Sequence, residues 1–97
     1  MSTPSDDAGV RHVPSEQRFV LEVDGHEAEL AYQASGDVLV ITHTGVPQAI
    51  GGRGVAARLV EATVAHARAA SLKVRPACSY AAAWFAKHPE ARDLLDA

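Results

Sequence analysis

The sequence has one cysteine, five aromatic residues and no excess of basic charge, and each scarcity removes a class of function. Cys78 alone cannot close an internal disulfide or build a cysteine-based zinc site, which fits a reducing compartment. With two Phe, two Tyr and one Trp, the core must be made mainly of Val, Leu, Ile and Ala. A formal net charge of -3 argues against a dedicated nucleic-acid binder, which presents a basic face. No apolar run approaches the length of a membrane span. Residues 1–8 are polar and acidic, without the apolar segment of a secretory signal. The expectation is a cytoplasmic protein without nucleic-acid or membrane partners.

What is present is an ordinary globular composition, 47% hydrophobic and 22% charged, in 97 residues. That is enough for one small domain and too little for two cores. Residues 1–15 are rich in Ser, Pro, Asp and Gly without a period, and read as a flexible tail. The domain is expected over residues 16–97.

Arg18 to Val23 alternates, with Phe19, Leu21 and Val23 on one face and Arg18, Val20 and Glu22 on the other, as a half-buried strand does. Asp24-Gly25 suits a tight hairpin turn, where both central residues need positive φ. Glu27 to Gln33 alternates again, with Ala28, Leu30 and Tyr32 together. After Ser35-Gly36-Asp37, the run Val38-Leu39-Val40-Ile41 is apolar without alternation and predicts a strand covered on both faces. The first half is therefore an antiparallel meander of three strands. A helix is expected over 53–70, with Ala56, Leu59, Val60, Thr63, Ala67 and Ala70 on its apolar side. Leu72 to Ala77 reads as a strand parallel to the one before the helix. A second helix begins at Ser79, whose hydroxyl is placed to cap it. Its apolar residues are Ala82, Ala83, Trp84 and Phe85. His88-Pro89-Glu90 then opens a last helical turn. The class is α+β, a small mixed sheet with helices packed on it.

Between the third strand and the first helix lies Gly51-Gly52-Arg53-Gly54-Val55-Ala56. The N-terminus of a helix offers unpaired N–H groups and the positive end of the helix dipole. Phosphate binds there when the backbone can come close, which glycine permits. Arg53 carries a charge that can serve the same anion. The loop lacks the Gly-Lys-Ser/Thr of nucleotide hydrolases, and a meander rather than a parallel strand unit precedes it, so a dinucleotide fold is excluded. The alternative is a tight turn that merely starts a helix.

With these elements in order, the sequence resembles the GNAT superfamily of acetyltransferases. The superfamily's motif, Arg/Gln-x-x-Gly-x-Gly/Ala, bridges a strand and a helix and holds the pyrophosphate of coenzyme A. Gly54 and Ala56 match its last two fixed positions, and Gly51 stands where Arg or Gln is usual. More narrowly, the chain is similar to a group of small single-domain N-acetyltransferases (the YjdJ-like group). The likeness rests on His43-Thr44 before the loop, Gly52-Arg53-Gly54-Val55-Ala56 within it, Pro76-Ala77-Cys78-Ser79-Tyr80 after the next strand, and His88-Pro89-Glu90. It runs from about Glu16 to Leu95.

The resemblance implies a GNAT-like fold and acetyl-CoA as cosubstrate, without a metal. It also implies an amine acceptor, either a small molecule or a protein. Thr44 and Val46 would contact the pantetheine arm through their backbone, in a gap where the strand before the loop splays from the returning one. Gly51, Gly52, Arg53, Gly54, Val55 and Ala56 would hold the pyrophosphate. Acetyl transfer needs a neutral amine, a polarised thioester carbonyl and a proton for the departing thiolate. Cys78 and Tyr80 are the candidate catalytic residues. Cys78 is a nucleophile, a proton donor or a buried structural thiol. Tyr80 is a general acid or a surface tyrosine. His43 is a candidate base, directly or through water, because imidazole exchanges protons near neutral pH. A CoA-binding module without turnover is the alternative function. A monomer or weak dimer is expected.

Overall fold

The computed structural model describes residues 9–96. Five strands form one sheet in the order of the chain, β1 (Arg11–Val13), β2 (Arg18–Val23), β3 (His26–Ser35), β4 (Val38–Gly45) and β5 (Lys73–Pro76). The first four are antiparallel neighbours, and β5 runs parallel to β4. Helix α1 (Val55–Ala69) makes the crossover between β4 and β5, and α2 (Ser79–Lys87) follows β5. Short 3₁₀ turns occupy Pro14–Glu16, Gln48–Ile50 and Pro89–Leu94.

The β2–β3 turn forms as its sequence demands, with Asp24 at φ 51° and Gly25 at φ 78°. Residues of one phase in every strand point to the helices: Phe19 and Leu21, Ala28, Leu30 and Tyr32, Leu39 and Ile41, Val74. They meet Leu59, Val60 and Ala67 of α1 and Ala81, Trp84 and Phe85 of α2 in a single core. Thr63, fully buried in α1, satisfies its hydroxyl by donating to the carbonyl of Leu59 at 2.9 Å.

Four sequence expectations change. The tail is shorter than 15 residues: Arg11–Val13 pairs with β2, with His12 opposite Phe19. His12 turns inward, stacks on Phe19 at 4.2 Å and shares a 2.6 Å hydrogen bond with the hydroxyl of Tyr32. Residues 1–8 of the expected tail lie outside the described residues. β4 is not covered on both faces, since Leu39 and Ile41 are buried whereas Val38 and Val40 remain partly open. Helix α1 starts two residues later than expected, at Val55, because Gly54 adopts φ 75° and cannot be its first helical residue. In α2, Cys78 rather than Ser79 is the N-cap, and Ala81 is buried in place of Ala82 and Ala83.

The far face of the sheet bears no α-helix among the described residues. Charged side chains occupy much of it. Arg18 lies 2.6 Å from Glu16, 3.0 Å from Glu29 and 3.5 Å from Glu27. Val20 is almost fully buried on this face, flanked in register by Arg11 and Glu29, whose aliphatic stems can cover it while their charges stay in water.

Candidate active site

The local event that creates a site is a β-bulge. Ala31 stands opposite His43 and Tyr32 opposite Ile41, so Thr42 is an extra residue without a partner. Its hydroxyl donates to the carbonyl of Ala31 at 3.3 Å. A bulge bends its strand and re-aims the residues beyond it. β5 pairs with β4 only as far as Ile41, whose carbonyl accepts both Ala77 N–H at 2.9 Å and Cys78 N–H at 3.1 Å. Beyond that point β4 continues through Gly45 while the chain after β5 turns into α2. The two strands therefore separate, and Thr42–Gly45 has no pairing with β5.

Cys78 stands at the apex of this gap. Its sulfur caps α2 by accepting the N–H of Ala81 at 3.4 Å and lies 3.5 Å from the hydroxyl of Thr44 across the opening. Thr44 and Cys78, both half-buried, are thus brought together from positions 34 residues apart.

Beside the gap, Val46, Gly51, Gly52, Gly54, Val55, Ala56 and Tyr80 line an open depression of about 250 Å³. Gly52 and Gly54 have φ 77° and 75°, and a Cβ on either would point into open space. Helix α1 has no side-chain cap, so its first N–H groups are not claimed by a protein side chain. A backbone cradle of this kind fits an anion. Tyr80 is the one large hydrophobic residue substantially exposed, at 40%. Partial burial and the charge of Glu61 push its phenol above the usual range. It therefore keeps its proton at neutral pH and can donate it.

Of the residues expected to meet an anion, Arg53 does not line the depression. Its guanidinium pairs with Asp24 of the β2–β3 turn at 2.6 Å. Gly51, in place of a longer side chain, contributes backbone to the lining. His43 lies on the far face of the sheet, with Nε2 4.0 Å from Glu29. Nothing in the sequence around Thr42 announced the bulge. Among the described residues no group of three His, Cys, Asp or Glu side chains is placed to hold a metal ion.

Comparison with known proteins agrees with this architecture. A family model described as GCN5-related N-acetyltransferase matches residues 18–94. A solution NMR structure of a GCN5-like protein from Staphylococcus aureus, proposed to be an N-acetyltransferase, is 29% identical. The match covers 95% of this chain and 91% of that one, with a TM-score of 0.73. No curated protein matches. With a family model spanning most of the chain and a fold neighbour covering nearly all of it, the chain belongs to the GCN5-related N-acetyltransferase family and is an acyltransferase of that kind.

Proposed function

We propose that this protein transfers an acetyl group from acetyl-CoA to a primary amine, with the thioester seated in the gap between β4 and Cys78. The observation that carries the reading is the conjunction of two features: β4 loses its partner after Ile41, and an uncapped helix N-terminus opens beside it. The first offers free backbone to a pantetheine amide chain. The second offers N–H groups to a pyrophosphate.

The residues divide the work by position. Thr44 and Val46 lie along the unpaired edge and its exit. Gly51, Gly52, Gly54, Val55 and Ala56 line the depression and approach the phosphates through the backbone. Arg53 is held on Asp24 and adds charge from a distance rather than by contact. Tyr80, protonated at neutral pH, gives its proton to the departing thiolate. Cys78 shapes the end of the gap with its half-buried sulfur, which already serves as a helix cap. Transfer is then direct: the amine attacks the thioester carbon, the C–N bond forms, and the C–S bond breaks. The acceptor class is a lysine side chain, a protein N-terminus or a small amine, and the catalytic unit is one chain.

Titration calorimetry with acetyl-CoA, together with thiol release over a panel of primary amines, tests the reading. Binding with amine-dependent thiol release supports it. Binding without release from any amine reduces the protein to a CoA-binding module. Absence of heat and of a thermal shift rejects both.

A further inference from the structure

The gap has two sides. Thr44 and Cys78 occupy the side facing the helices. His43, the next residue along the same unpaired stretch, faces the other way. Consecutive Cα atoms are about 3.8 Å apart, so the two residues stand back to back across one strand.

His43 is held rather than free. Its ring lies over Gly45, where a methyl group would come within 2.8 Å of Nε2, closer than van der Waals contact permits. Glycine at this position leaves the space the imidazole occupies. The same nitrogen faces Oε2 of Glu29 at 4.0 Å, an ion-pair separation rather than a hydrogen bond. Glu29 is in turn fixed through its other oxygen, which accepts from Nη1 of Arg18 at 3.0 Å. Arg18 is anchored further by Glu16 at 2.6 Å. Base and orienting carboxylate commonly sit at loose distances before substrate arrives and tighten afterwards. A histidine without a role has no need of this succession: a vacated Cβ beneath it, a carboxylate beside it, and a guanidinium fixing the carboxylate.

We propose that the acceptor amine enters the gap from the face of the sheet that carries no helix, and that His43, positioned by Glu29 and Gly45, takes the proton that frees the amine for attack. The inference rests on the acetyl-transfer reading above. The acceptor arrives as an ammonium, R–NH₃⁺. His43 removes one proton and passes it to solvent. The neutral amine attacks the thioester carbon from the side opposite Thr44 and Cys78. The nitrogen sheds a second proton as the amide forms, and the thiolate sulfur gains one as the C–S bond breaks. The balance is R–NH₃⁺ plus acetyl thioester giving amide, thiol and one released proton. His43 is the group that meets the substrate; Glu29 and Gly45 act only through it.

The test is steady-state turnover with the best acceptor of the amine panel, run beside acetyl-CoA titration. His43→Ala should lower kcat at least tenfold with acetyl-CoA affinity unchanged, and added imidazole should restore a large part of the rate. Glu29→Gln should lower kcat severalfold in the parent and not at all in the His43→Ala background, the non-additivity expected of residues acting in series. Gly45→Ala, which displaces the ring without deleting it, should fall between wild type and His43→Ala. Imidazole rescue is a readout that a merely structural histidine would not move. Full turnover in His43→Ala overturns the proposal, and so does a deficit that imidazole leaves untouched. A wild type that binds acetyl-CoA but acetylates no amine overturns the acetyl-transfer reading itself, and this inference with it. Loss of acetyl-CoA binding in His43→Ala places the residue in cofactor binding and also overturns the role assigned.

Discussion

At the scale of single residues, Cys78 carries several duties at one position. It ends the β5 segment, caps α2 and lines the gap opposite Thr44. Sequence alone left nucleophile, acid and structural thiol open for it, because a lone cysteine looks the same in all three settings. Cys78→Ala removes the cap and the contact with Thr44, and loss of an N-cap typically costs about 1 kcal/mol. In a domain this size that corresponds to a fall in melting temperature of about 4–8 °C. Cys78→Ser supplies a better capping oxygen and should melt within a degree or two of wild type. If the thiol only shapes the gap, the serine variant also keeps most of its turnover. A loss of a hundredfold or more in that variant would instead identify a covalent step.

Trp84 is a second residue whose setting no pattern discloses. Its ring stacks on His88 at 3.9 Å, and the His88 ring Nδ1 lies 2.7 Å from the Trp84 carbonyl oxygen. Its own buried indole N–H has no hydrogen-bond partner among the described residues. Leaving a donor unpaired offsets part of the benefit of burying so large a ring.

At the scale of elements, what could be read from the sequence is what neighbours in sequence decide. The β2–β3 hairpin and its Asp24-Gly25 turn, the apolar stripe of α1 and the parallel return of β5 follow from alternation, turn chemistry and helical spacing. β1 escaped because it is three residues long and presents a histidine to the core. Only Phe19, Tyr32 and His66, all distant in the chain, make that side chain welcome. The bulge at Thr42 escaped for a similar reason: it is a mismatch between two strands, invisible in either one. The direction of Arg53 depended on Asp24, 29 positions away.

Two predictions belong here. Gly54 holds the left-handed conformation from which α1 departs, and a side chain there costs about 1–2 kcal/mol even though nothing would collide with it. Gly54→Ala should therefore melt lower and bind acetyl-CoA more weakly, read by calorimetry and thermal denaturation together. The second concerns β1. Burial, aided by the nearby His66, holds the imidazole of His12 below its ordinary value of 6.5. The unfolded chain then takes up the proton first as pH falls. The contribution of His12 to stability is complete above about pH 6.5 and is lost as pH falls through the lower folded-state value. His12→Phe, which preserves the stack on Phe19 and cannot titrate, should show a flatter dependence of melting temperature on pH below 6.5 than wild type. Identical slopes would mean that His12 does not govern the attachment of β1.

At the scale of the whole molecule, the sheet has helices on one face and a network of charged side chains on much of the other. The C-terminal segment finishes the sheet at its far edge: Leu95 bridges to Val74, the Asp96 N–H reaches the Val74 carbonyl at 2.9 Å, and Arg75 pairs with the Asp96 side chain. Edge strands left bare invite pairing with other chains. That short closure covers an edge of β5.

A reaction centre in a sheet covered on one side lies only one strand deep on the other, and this bears on selectivity. An enclosed apolar pocket distinguishes substrates that differ by one methylene by about 10–200-fold. An acceptor that enters over an open, charged face meets no such wall. Across a series of straight-chain primary amines, kcat/KM should therefore change by less than about threefold per methylene. Adding an anionic group to the amine should depress it far more. A catalyst built this thinly chooses its acceptors by charge and reach, and leaves discrimination by shape to whatever presents the amine.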